Sequence, residues 1–313
     1  MLYTMARLEI WKMFLLFVAV VTVINLSYFK LNGDQGPTDH ASEQAVLEQS
    51  RQNEQKPSLV AMQTTIPSLE HMIQANKLWD ALIMKEARPG SYMPGKWGIT
   101  SPMYQNKKIE VMRSRIEQAY RDGLKIETVC EVGVLACVAS FMFFQLAPRI
   151  TWYGFDMLMD LPDATNAGVK FLKLVADKPD KVIFTEGDSK ITIPDFAKKN
   201  PNVTCDVVFL DGGKSYDLRM RDLMNFRSMS HEKTIVFMDE VTNFDCVFNR
   251  GDTDKVCHVR GWGAQWIGCS LAYRAAVRNK VFETTYCPDK EILYGDSFCA
   301  GRYLFDDVRI RKS

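Results

Sequence analysis

"DVVFLDGGKSYD", residues 206–217, decides how this chain is read. An unbroken apolar run, Val207 to Leu210, stops at Asp211; Gly212 and Gly213 follow, then Lys214 and Tyr216. Consecutive apolar residues bounded by turn formers read as a strand buried on both faces, as in parallel sheets. A carboxylate at the tip of such a strand lies where open α/β sheets bind ligands, outside the carboxyl ends of the strands.

The same pattern repeats on either side. "ETVCEVGV", "ITWYGFD", "KVIFTEGD" and "TIVFMDEV" read as further strands. Between them "CVASFMFFQLA", "NAGVKFLKLVAD" and "LRMRDLMNFRSM" read as helices, and "ITIPDFAKK" as helix or turn. Strand and helix alternating about five times predict a mainly parallel sheet covered on both faces. The strand ends then bring Glu131 and Gly133, Asp156, Gly187 and Asp188, Asp211, and Asp239 with Glu240 to one rim. Turn-forming and capping aspartates explain some of these acids, but not so regular a series. Residues 67–88 and 106–123 carry apolar groups at helical spacing and are expected to be helices packed on the sheet. In the C-terminal segment, 246–313, "GDSFCAGRYLF" is expected to add an antiparallel edge strand. Trp262 and Trp266, four apart on an expected helix, either wall a substrate pocket or belong to the core.

The chain has 313 residues, 47% hydrophobic and 25% charged, with net charge +1, so composition gives no support for a nucleic-acid binder. Residues 13–29 are apolar and uncharged, preceded by Arg7 and Lys12, and are read as a transmembrane signal anchor. A cleaved signal peptide is the alternative, but no small-residue cleavage site follows. Residues 1–12 would be cytoplasmic, 30–60 a flexible stalk poor in large apolar groups, and 61–313 the folded domain. That makes a single-pass type II protein of the secretory pathway, with the domain luminal or extracellular. Asn202-Val203-Thr204 is a glycosylation sequon compatible with that side.

"CEVGVLACVASFM", the second-strand Asp156, "VIFTEGDSKITIPDF" and "VVFLDGGKSYD…IVFMDEV" together resemble class I S-adenosylmethionine-dependent methyltransferases over roughly residues 105–245. The nearest types are catechol O-methyltransferases and related membrane-anchored animal proteins. The resemblance implies a doubly wound, Rossmann-like, seven-stranded α/β sheet behind an N-terminal transmembrane helix. It also implies transfer of a methyl group from S-adenosylmethionine to a small-molecule hydroxyl, assisted by Mg²⁺ or a similar divalent cation. Glu131 and Gly133 match the opening of the cofactor loop, Asp156 the acid on the ribose, and Gly187, Asp188 and Ser189 the segment beside the adenine. Asp211, Asp239 and Glu240 match a metal triad, and Lys214 the general base. The chain departs from the family at Cys137 and Ala139, where relatives carry a second glycine and a serine, and at Glu240, where they carry Asn or Asp. The competing class is a membrane-tethered binding protein that kept the fold and lost the chemistry. A Rossmann dehydrogenase is disfavoured because its GxGxxG is missing: positions 135 and 138 are Leu and Val.

Elementary electrostatics agrees with these assignments. Carboxylates gathered at one rim repel and become reluctant to ionise, and a hard cation with oxygen ligands resolves that. Lys214, desolvated beside a cation, is expected to have its pKa pulled down far enough to accept a proton. The eight cysteines form no CxxC. Cys246–Cys257 and Cys287–Cys299 are the simplest local bridges, whereas Cys130, Cys137 and Cys205 are expected to be small buried apolar groups. His40, His71, His231 and His258 show no metal-ligand spacing.

Overall fold

Short runs of Val, Phe, Leu and Cys form the central strands because there the sheet is enclosed by helices on both faces and needs no polar side. The computed structural model describes residues 66–87, 102–159, 161–241, 263–287 and 298–305, all within the second of two units that divide between Gln63 and Thr64. Helices α1 (Leu69–Glu86) and α2 (Pro102–Arg121) precede the sheet. There follow β1 (Thr128–Val132), α3 (Val138–Leu146), β2 (Thr151–Asp156), α4 (Pro162–Val175), β3 (Val182–Glu186) and α5 (Ser189–Lys199). Next come β4 (Cys205–Leu210), α6 (Tyr216–Arg227), β5 (Ser230–Asp239), α7 (Gly263–Arg278), β6 (Phe282–Tyr286) and β7 (Phe298–Tyr303).

The seven strands lie in the order β3-β2-β1-β4-β5-β7-β6. Strands β1 to β5 pair in parallel, and β7 is antiparallel to both β5 and β6. This is a mixed α/β sheet consistent with the Rossmann-like methyltransferase arrangement. The closing strand expected at the edge is antiparallel but lies inside; the edge is β6, "FETTY", whose burial alternates along the strand. Two apolar layers fill the faces. One gathers α1 to α4, including Trp79, Ile109, Met142 and Leu172, while the other gathers Ile193, Leu223, Phe226 and Tyr273 from α5, α6 and α7. Helix α3 is buried on nearly every side, which is why it is apolar all round. Phe143 packs edge-on to Phe209 with centroids 5.9 Å apart, and Phe237 stacks on Phe298 at 5.5 Å. Each such ring contributes roughly 2–3 kcal/mol by burial.

Two cysteine expectations need correction. Cys130 and Cys205 form a disulfide between β1 and β4. Cys205 shares the apolar layer of Cys130, Val208 and Leu210 rather than that of Val207 and Phe209, a departure from strand alternation at the point where the register of β4 with β5 shifts. Cys287–Cys299 is bonded as expected, while Cys137 and Cys269 are free and buried. The proposed Cys246–Cys257 bridge, the side chains of Trp262 and Trp266, His40, His258, the stalk and the 13–29 span lie outside the described residues. Among the described residues no helix is long and apolar enough to cross a membrane.

Candidate active site

The loop after β1 is the centre of the rim. Gly133 takes φ +82°, and its amide continues the ladder to Phe155 O at 2.9 Å, while Asp211 N reaches Val132 O at 2.9 Å. A Cβ at Gly133 would lie 2.4 Å from the Asp211 carbonyl carbon and oxygen, so the loop passes directly over the tip of β4. Beyond it Leu135 and Cys137 also adopt left-handed backbone. Cys137 turns its sulfur away from the rim toward α4, where Gly168 leaves room for it. Trp79 of α1 stacks on Phe141 and donates its indole N–H to Ala136 O at 2.9 Å, holding the loop from behind.

Asp156 ends β2 with its carboxylate against this loop: Oδ2 accepts from Val134 N at 2.8 Å and Leu135 N at 3.1 Å, and Oδ1 from Leu158 N at 2.8 Å. Gly187 follows β3, and Asp188 caps α5 by accepting from Lys190 N at 3.0 Å. Ser189 opens α5 against the buried Asp222. Met157 and Ile191, 49% and 62% exposed, present apolar side chains after β2 and early in α5, beside the acids of that half of the rim. Glu131 does not reach the rim surface. It is 1% exposed on the α1–α4 face, where Oε2 accepts from Ser140 Oγ at 2.6 Å and Trp152 Nε1 at 2.8 Å.

Burial pushes the Glu131 carboxyl up from 4.5 to about 8 despite those two donors. The unfolded carboxyl thus releases its proton near 4.5 and the native one near 8, so stability falls as pH rises between them. Glu131→Gln keeps the shape without the charge. It is expected to melt like the wild type near pH 4.5 and to be more stable by about 3 kcal/mol at pH 7. Thermal melts of both proteins across pH 4–9 read this out; parallel curves would count against it.

The other half of the rim gathers charge. Because Leu210 pairs with Met238, the residues that follow, Asp211 and Asp239, emerge side by side. Glu240, in left-handed backbone at φ +60°, turns back toward them. Ligand oxygens of Asp211, Asp239 and Glu240 lie within 4.8 Å of one another. Lys214 Nζ stands 2.7 Å from Asp211 Oδ1, 2.7 Å from Glu240 Oε2 and 2.7 Å from the Asp211 carbonyl oxygen. Lys108 of α2 reaches Asp239 Oδ1 at 2.5 Å, and the buried Arg219 of α6 lies 3.6 Å from Glu240 Oε2. Arg219 also donates to Leu210 O, and its Nη2 is 3.4 Å from Cys269 Sγ. Gly268 of α7 packs so closely on the Lys214–Tyr216 turn that a Cβ there would meet Tyr216 N at 2.5 Å.

Burial, then mutual repulsion, raises the carboxyl pKa of Glu240; burial also raises that of Asp211. Their reluctance to ionise is as expected. The Lys214 expectation reverses among the chain's own groups. Burial acts to lower its pKa, but Asp211 and Glu240 outweigh that and hold the ammonium above its ordinary value.

Sequence reasoning missed Lys108, whose partner is 131 residues distant, and Arg219. The latter had a signal: Arg219, Asp222, Leu223 and Phe226 fall at i, i+3, i+4 and i+7, a buried helical face carrying two charges.

No family model matches the sequence, and no curated protein does. Similar solved structures include an O-methyltransferase from Bacillus cereus in complex with SAH, 15% identical, covering 76% of this chain and 93% of that one at a TM-score of 0.44. The SAH-bound Podospora anserina methyltransferase PaMTH1 is 13% identical, with 86% and 100% covered at 0.46. The O-methyltransferase TomG from Streptomyces achromogenes, in complex with SAM, is 13% identical, with 77% and 92% covered at 0.45. Likenesses of this degree add no argument about activity, which rests on the site.

Proposed function

We propose that this protein is an S-adenosylmethionine-dependent O-methyltransferase acting on the hydroxyl of a small molecule. The observation that carries the reading is the convergence of Asp211, Asp239 and Glu240 at the rim beside the glycine loop. The residues fit the cofactor by their chemistry. Gly133 lets the loop lie flat on the tip of β4 with no side chain between them, Asp156 offers a carboxylate for ribose hydroxyls, and Met157 and Ile191 are apolar enough to face an adenine. Three carboxylates within one coordination span suit a hard divalent cation, although ammonium groups stand against the same oxygens. When bound, the cofactor supplies the methyl sulfonium, and the cation the charge that lowers a hydroxyl pKa.

The chain's own part is orientation and proton handling. Asp156 and the 133–137 loop fix the donor, while Asp211, Asp239 and Glu240 fix the acceptor's side. With Asp211 and Glu240 neutralised by a partner other than its own ammonium, Lys214 would release its proton to solvent and, as the neutral amine, take the acceptor's proton. Arg219, locked on Leu210 O, keeps Glu240 turned toward the other acids. A type II placement in the secretory pathway draws support from the two disulfides among the described residues, since such bonds persist in oxidising compartments. Asn202 is exposed in the turn before β4, at the opposite end of the strands from the rim, where a glycan leaves the site open.

The ion pairing of the triad favours a second reading, a tethered protein that binds the cofactor without turnover. Calorimetry with S-adenosylmethionine, with and without Mg²⁺, followed by labelled-methyl transfer to catechols, phenols and sugars, tests both. Micromolar binding with transfer is expected. Binding without transfer to any acceptor supports the second reading, and no binding at millimolar concentration sinks the methyltransferase.

A further inference from the structure

We propose that Lys108 is a built-in competitor for the divalent cation, so that the ion enters only by displacing this ammonium from Asp239. The inference rests on the metal-assisted reading above and adds how occupancy of that site is controlled. Three carboxylates, Asp211, Asp239 and Glu240, face three cations, Lys108, Lys214 and Arg219, so the cluster is formally neutral without an ion. A divalent cation adds two charges to a poorly solvated place, and an ammonium has to leave.

The three cations are not equally free to go. Arg219 is fully buried and fastened to Leu210 O and Cys269 Sγ. Lys214 springs from the same turn as Asp211 and holds its carbonyl oxygen as well as two carboxylates. Lys108 comes from a separate element, α2, and its side chain meets the cluster at Asp239 Oδ1, which also accepts the Glu240 amide at 2.9 Å. A rotation about its four-carbon stem withdraws it without disturbing the strand ends. The pair is mostly enclosed, with 13% and 11% of the two side chains exposed, so the competition is weakly screened by solvent. By linkage, whatever draws Lys108 away tightens ion binding by the same factor that the ion loosens Lys108.

The test is Mn²⁺ titration of the full-length protein by calorimetry and electron paramagnetic resonance. Lys108→Met and Lys108→Gln are expected to bind Mn²⁺ roughly tenfold more tightly than wild type, and Lys108→Arg to stay within about twofold. A merely structural ion pair predicts the opposite sign, because its loss would loosen Asp239 and weaken the site. Equal or weaker binding in Lys108→Met and Lys108→Gln, with the wild type still binding, overturns this proposal alone. No Mn²⁺ uptake by the wild type or any variant removes the metal reading and this proposal with it. A second measurement needs no variant: acylation of Lys108, followed by mass spectrometry, is expected to rise severalfold when Mn²⁺ saturates the protein. Unchanged labelling counts against displacement.

Discussion

Asp211→Asn is expected to lower methyl transfer by about a thousandfold or more while leaving the protein folded. Asp211 stands where three functions meet. Its side chain belongs to the carboxylate triad, holds Lys214 at 2.7 Å, and its backbone forms the floor beneath Gly133. The amide keeps the shape and still accepts from Lys214, and the backbone contacts remain, so the sheet is not disturbed. What disappears is one negative charge from a cluster that is neutral as it stands. The remaining carboxylates, Asp239 and Glu240, then face three cations and hold a divalent ion poorly. Mn²⁺ binding is expected to fall in step with turnover, and a chelator to remove the wild type's activity. Full activity in Asp211→Asn, or in wild type with excess chelator, would contradict the metal assignment. A large drop in melting temperature would instead show that the charge matters for folding. That is the smaller expected effect, because the amide keeps the shape and still accepts from Lys214.

How far the sequence reached depends on whether a feature is local. The five parallel strands were legible because each is a short apolar run ending in a turn former, and the register of β4 with β5 then puts Asp211 beside Asp239 without further information. Strand β6 was not legible, because "FETTY" buries mainly Phe282 and its alternation is too short to stand out. The Cys130–Cys205 bridge was hidden because Cys205 breaks the alternation of β4 and shares a layer with Val208 and Leu210 instead of Val207 and Phe209. Lys108 carried no signal at all. It flanks the apolar stripe of α2 like any solvated lysine, and only the fold brings it to Asp239. Glu131 was legible as a motif residue but not as a buried one, since its burial depends on Ser140 and Trp152 closing over it. Acids that a motif groups together are thus divided by the structure into rim residues and one that supports the loop from beneath.

Gly133→Ala is expected to cost a large part of the stability, and two separate terms set its size. The φ of +82° is left-handed backbone, worth about 1–2 kcal/mol against a residue with a Cβ. The second term is overlap: the new methyl would sit 2.4 Å from the Asp211 carbonyl atoms and 2.6 Å from Gly212 N. Those atoms are backbone, tied into the ladder by Asp211 N to Val132 O, so neither side yields cheaply. Overpacking of this kind costs about 1–3 kcal/mol, and together the terms come to about 2–5 kcal/mol of a total stability that is typically 5–15 kcal/mol. Gly123 separates the two terms. It has nearly the same backbone, φ +77°, but a Cβ there meets nothing within 4 Å, so Gly123→Ala is expected to cost only the first. The variants also differ in function. Relief of the overlap at Gly133 has to push the loop off β4, moving Val134 and Leu135 from Asp156 and Asp211 from Asp239, so the heat of S-adenosylmethionine binding is expected to vanish. Gly123→Ala should bind like the wild type. Denaturant unfolding and calorimetry on the two alanine variants decide the matter: equal stabilities, or undiminished cofactor binding in Gly133→Ala, would mean that the loop does not lie against the tip of β4.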